Sequence, residues 1–134
     1  MLKKNTIIVL ASIVIFQSFS ASNSFASKPK CSKSIKAKYD KAYYQYILRN
    51  TQIQLSKDIK AIVEDSRVKK SNLLGRYVDY TAKDIYTLQS QDRNIEKNEI
   101  ERDEWEPEVR GLAKKCKLPV PSRSELTPEY YENE

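Results

Sequence analysis

The 134-residue chain contains no histidine and only two glycines, two cysteines and one tryptophan. Each scarcity removes a class of protein. Without histidine there is no Ser-His-Asp or Cys-His catalysis and no imidazole general base. A Cys/His zinc site needs about four ligands, which two cysteines cannot supply. Gly75 and Gly111 stand alone, so no glycine-rich loop can cradle a phosphate. Sandwiches and barrels need turn residues about every ten positions. Long stretches here hold neither glycine nor proline, and Lys, Glu, Gln, Ile, Leu and Tyr dominate. That composition points to an all-α domain.

The chain opens MLKKNTIIVLASIVIFQSFSASNSFA. Lys3 and Lys4 form a positive region, and Ile7 to Phe16 is an apolar run broken only by Ser12. Ser24-Phe25-Ala26 then sets small side chains at the positions a signal peptidase reads. The run is too short for a spanning helix, which needs about 20 apolar residues. Residues 1–26 are therefore expected to be a cleaved secretory signal peptide, with export to the periplasm or extracellular medium. Residues 27–118 would form one helical domain, and 119–134 a Pro-containing, acidic, flexible tail.

Cys31 follows Lys28, Pro29 and Lys30, unlike the small and aliphatic residues that precede a lipidated cysteine. Exported proteins work in oxidising compartments, where two cysteines pair. Cys31 and Cys116 allow one intramolecular connectivity; a reactive thiol or an intermolecular bridge are the alternatives. The bridge closes a loop of about 86 residues, which in the chain-entropy model stabilises by about 4–5 kcal/mol.

Residues 31–65 keep a helical period through Ile35, Tyr39, Ala42, Tyr43, Tyr46, Ile47, Ile53, Ile59, Ile62 and Val63. The start of this helix is strongly basic and opposes the macrodipole, which the acidic second half of the chain is positioned to offset. Asn50-Thr51 is a candidate break. Residues 66–72, SRVKKSN, suggest a turn, with Ser71 or Asn72 capping a second helix over about 72–99 that contains Gly75. The pattern weakens near 98–104. Asp103 or Glu106 would start a short last helix with Pro107 in its first turn, stopped by Pro119 and Pro121. The expected architecture is a long antiparallel helical hairpin plus a short third helix, stapled by Cys31–Cys116. The alternative is a small four-helix bundle with helix one broken near Asn50.

Charge is divided along the chain. Residues 27–83 carry 14 basic and 5 acidic groups, whereas 84–134 carry 8 and 13. Folding one half onto the other makes much of this internally complementary; a basic face for an anionic partner is the sharper reading. Tyrosine is the abundant aromatic, nine residues against three phenylalanines. Tyr39, Tyr43 and Tyr46 share a helix face, while Tyr44 points elsewhere. Exposed tyrosine beside lysine and arginine is common in protein-binding surfaces. Lys33, Lys36, Lys41, Tyr44, Arg49, Tyr130 and Tyr131 form the candidate binding surface.

Other chemistry is poorly represented. Asp92, Asn94, Glu96, Asn98 and Asp103 fall at calcium-loop offsets, but Lys97 stands where the central glycine belongs. Glu64-Asp65 and Asp103-Glu104 are adjacent, so on a helix they point apart rather than flanking a glycosidic bond. No catalytic residue, metal or cofactor is expected. The composition suggests a small non-enzymatic binding protein, a periplasmic inhibitor or immunity-type protein acting by stoichiometric contact with an envelope enzyme or toxin. An accessory subunit of a secretion or pilus system is the second possibility. A binder of anionic lipid or glycan through residues 28–49 is the third, with contact to a membrane surface but no span. Nucleic acid is not an expected partner.

Overall fold

A computed structural model describes residues 31–132. The proposed signal segment and Lys28 and Lys30 lie outside the described residues. Among these there are three helices and no strand: α1, Lys33–Leu74; α2, Ala82–Cys116; and α3, Pro128–Tyr131. At 1.5 Å per residue, α1 and α2 are about 63 and 52 Å long. They are joined by residues 75–81 and run antiparallel, with Arg49 beside Glu101 and Lys60 beside Asp92. Both cysteines are disulfide-bonded, and as the only two in the chain they bond to each other. The expected helical hairpin with one disulfide and a short third helix is the observed architecture.

Its internal boundaries differ from those expected. α1 is unbroken at Asn50-Thr51 and continues through 66–72, so the broken-helix bundle is excluded. SRVKKSN is polar because that part of α1 is mostly solvent-facing, which gives an exposed helix the composition of a turn. The true end is a Schellman cap. Gly75 takes φ 60, Gly75 N–H donates to Asn72 O and Arg76 N–H to Ser71 O, satisfying the last carbonyls. Gly75 is thus outside both helices. Thr81, not Ser71 or Asn72, opens α2: its hydroxyl accepts from Asp84 N–H, and the Asp84 carboxylate accepts from Thr81 N–H.

α2 also runs past 98–104 and carries Pro107 in its interior. No separate helix starts at Asp103 or Glu106. The short third helix is instead α3, in the segment expected to be a flexible tail. That segment lies along α1. Tyr39 Oη donates to Pro119 O at 2.6 Å, Asn50 Nδ2 donates to Ser122 O and Glu125 O, and Thr127 N–H donates to Thr51 Oγ1. Pro121 and Thr127 are buried. Arg123 meets Glu106 and Asp103 of α2. The segment docks because α1 offers phenol and amide donors and a hydroxyl acceptor to backbone that would otherwise need water.

The core forms where three chain segments meet. Ala42, Tyr46, Ile47 and Val109 are its buried centre, flanked by Tyr43, Trp105 and Leu112. Asn50 is its polar bolt, accepting from the buried Arg102 while donating to the tail. Every buried residue of α1 and α2 lies within 39–56 or 98–113. None of the residues 57–97 is buried.

Candidate functional site

The seven residues singled out from the sequence do not form one surface. Lys33, Lys36 and Lys41 are exposed on the first turns of α1. Lys36 pairs with Asp40 one turn on, at 2.8 Å, so this cation is offset within α1 itself rather than by the acidic half. Tyr44 is half exposed on the same helix. Arg49 is committed inward: Nε lies 2.8 Å from Glu101 Oε2 of α2, and Nη1 donates to Gln52. Tyr130 donates its hydroxyl to Asp58 and stacks edge-on against Tyr131, 6.1 Å between ring centres. Tyr131 is exposed. The expected charge complementarity between halves is realised at Arg49–Glu101 and Lys60–Asp92.

A surface absent from that expectation is more continuous. Successive helix positions turn by about 100°, so Tyr44, Leu48, Leu55, Ile59 and Ile62 fall within an arc of about 60° on α1. Tyr44, Leu55 and Ile62 are exposed, with Leu48 and Ile59 half-buried. Lys33 and Lys41 project near the same arc. Beside it, α1 and α2 bound a groove of about 400 Å³. The α1 wall mixes Leu55 and Ile59 with Arg49, Gln52 and Ser56; the α2 wall is polar, Gln91, Asn94, Lys97 and Asn98. The sequence signal was the spacing of Leu48, Leu55 and Ile62, seven residues apart.

The far end of the hairpin is a second distinctive place. The Arg67 guanidinium sits between the Tyr77 and Tyr80 rings, 5.2 and 5.1 Å from their centres. It makes two hydrogen bonds to Glu64 and one to Val78 O. Tyr80 Oη also donates to Glu64, and Val78 N–H donates to Ser71 Oγ. Arg67 and Tyr80 together hold the Glu64 carboxyl at about 2, well below its ordinary 4.5. The loop 75–81 is thereby tied to α1 without an apolar core of its own.

The tyrosines of the base titrate in the other direction. Burial, then the hydrogen bond to Glu125, raises the Tyr43 phenol to about 12. Burial also raises Tyr39 and Tyr46. These phenols are hydrogen-bonding and packing groups at any ordinary pH, not proton carriers.

Asp92, Asn94, Glu96, Asn98 and Asp103 lie on α2, not in a loop, where their offsets cannot wrap a cation. Among the described residues no group of three or more acidic or cysteine side chains is placed to hold a metal. No described helix is long and apolar enough to cross a membrane. No protein-family model, curated protein or solved structure matches this chain.

Proposed function

We propose that this is a non-enzymatic binding protein that acts by stoichiometric contact with another protein, as an inhibitor or immunity-type protein does. One observation carries the reading: the apolar stripe Tyr44–Leu48–Leu55–Ile59–Ile62 on the outer side of α1, left open while the tail covers a different side. A long helix face with an apolar centre and cations at one end suits an amphipathic helix carrying acidic residues. The groove beside it, with Lys97 and five amide or hydroxyl side chains, adds polar anchors at its edge. The disulfide accords with an oxidising compartment, the periplasm or the extracellular medium. A second reading, an accessory subunit of a secretion or pilus assembly, rests on the length of the hairpin and the exposed apolar side chains at its far end.

The test is a pull-down of the tagged, disulfide-bonded protein from envelope and culture medium, followed by titration of the purified partner. A single partner bound at one to one, with affinity reduced at least tenfold by Leu55→Arg or Ile62→Arg, supports the inhibitor reading. A set of membrane or pilus components favours the assembly reading. A partner whose affinity is untouched by both substitutions removes the α1 stripe from the interface and the reading with it.

A further inference from the structure

The far end of the hairpin carries side chains that the inhibitor reading does not use. Leu73 is 86% exposed, Leu74 59% and Tyr77 72%. They flank Gly75 at the point where α1 stops. Two adjacent leucines this exposed have no packing role in the fold. Their exposure is built in: the Schellman cap fixes the end of α1, and the Arg67–Tyr80–Glu64 cluster with Val78 N–H to Ser71 ties the loop back onto α1. The leucines are left on the outer end of a held turn.

The charge around them is mainly basic. Residues 66–83 contain Arg67, Lys69, Lys70, Arg76 and Lys83 against Asp79, and Asp84, the next residue, lies within electrostatic reach of Lys70 and Lys83 and offsets part of their charge. Arg67 is engaged by Glu64, and Lys69 pairs with Asp65 at 2.7 Å. Lys70, Arg76 and Lys83 are exposed. A held turn that exposes two leucines and a tyrosine, with exposed Lys70, Arg76 and Lys83 close by in the chain, has the chemistry of a membrane-surface contact. Leucines enter the acyl boundary, tyrosine sits at headgroup depth, and lysine and arginine meet anionic phosphates. A protein partner would need a concave acceptor and would ordinarily call for paired acids. The start of α1, within the residues 28–49 of the third alternative read from the sequence, has the lysines but no large exposed aliphatic side chain beside them.

We propose that the hairpin end, Leu73, Leu74 and Tyr77 with Lys70, Arg76 and Lys83, is a docking surface for an anionic phospholipid membrane, touching it without spanning it. This proposal is independent of the α1 stripe and can stand or fall without it. The full disulfide-bonded protein is sedimented with vesicles of phosphatidylglycerol and phosphatidylethanolamine, and separately with phosphatidylcholine alone, at low and at physiological salt. Binding to the anionic vesicles, weakened by salt, is expected. Leu73→Ser with Leu74→Ser should lower the partition coefficient at least tenfold, from the apolar area no longer buried. Arg76→Gln should lower it about fivefold. All three positions are exposed, so helicity by circular dichroism should not change. A Leu73→Trp variant should shift its emission to the blue on anionic vesicles. No sedimentation at low salt, equal binding to phosphatidylcholine, or undiminished binding by the Leu73/Leu74 double variant would each overturn the proposal. Loss of a protein partner by that double variant, with no vesicle binding by the parent, would assign the leucines to a protein contact instead.

Discussion

The base of the hairpin and its distal arm are built from the same two helices, yet they solve burial differently. In the base, residues 119–132 supply a third segment, and Tyr46, Val109 and Ala42 become almost fully buried. In the arm there is no third segment. Two helices alone can hide only the strip along which they touch, so Ile62, Val68, Ile85 and Tyr86 stay exposed. The arm is held by ion pairs and by the Arg67 cluster, the base by packing and by Asn50. The comparison teaches that packing is uneven along the molecule: the base has a core, whereas the arm leaves its apolar side chains exposed.

The largest expected effect is at the base. Cys31→Ser with Cys116→Ser should cost about 4–5 kcal/mol in denaturant unfolding, since the bridge closes a loop of about 86 residues. Next comes a pair that sets the two regions against each other. Tyr46→Ala should cost about 3–5 kcal/mol, as for other large buried aromatics, whereas Ile62→Ala should stay within about 0.5 kcal/mol. Similar losses at both positions would erase the distinction. Asn50→Ala should cost about 2 kcal/mol, because it strands two tail carbonyls and Arg102, and limited proteolysis should then cut within 119–127 first.

Acid and base should loosen different ends. Glu64 has its folded carboxyl at about 2, below 4.5. Its contribution is full above the unfolded value and is lost as pH falls from 4.5 through 2. The Val78 and Tyr80 amide resonances should move over that range. Glu106 is also held low, by Arg110 and then Arg123, so acid weakens one tail contact as well, but the Asn50 bonds do not titrate. Tyr43, raised from 10.0 to about 12, contributes fully below 10 and loses its contribution as pH rises through 12. Its ultraviolet ionisation should coincide with loosening of the tail near Glu125, leaving the loop at 75–81 in place.

The difference between the regions also marks what could be foreseen from sequence. The helical period, the hairpin and the disulfide were legible because apolar spacing and an even cysteine count are local or unique signals. The turn was misplaced because SRVKKSN is as polar as a turn, although it is only the exposed part of a long helix. Gly75 and the pair Thr81 and Asp84 carried the right signal, and were outweighed by the leucines on either side. Docking of 119–132 was not legible, because it depends on Asn50 and Thr51 of α1 meeting backbone seventy residues away. The seven candidate surface residues divide for the same reason: Arg49 and Tyr130 meet long-range partners, whereas Lys33, Lys36, Lys41, Tyr44 and Tyr131 stay at the surface.

The measurement that bears most directly on the division into base and arm is native-state hydrogen exchange, residue by residue, on the disulfide-bonded protein. Amides of 39–56 and 98–113 should exchange only on global unfolding, and those of 60–72 and 84–95 on the order of a hundredfold faster, through local opening of the arm. Uniform protection along α1 and α2, or slower exchange in the arm than in the base, would contradict it.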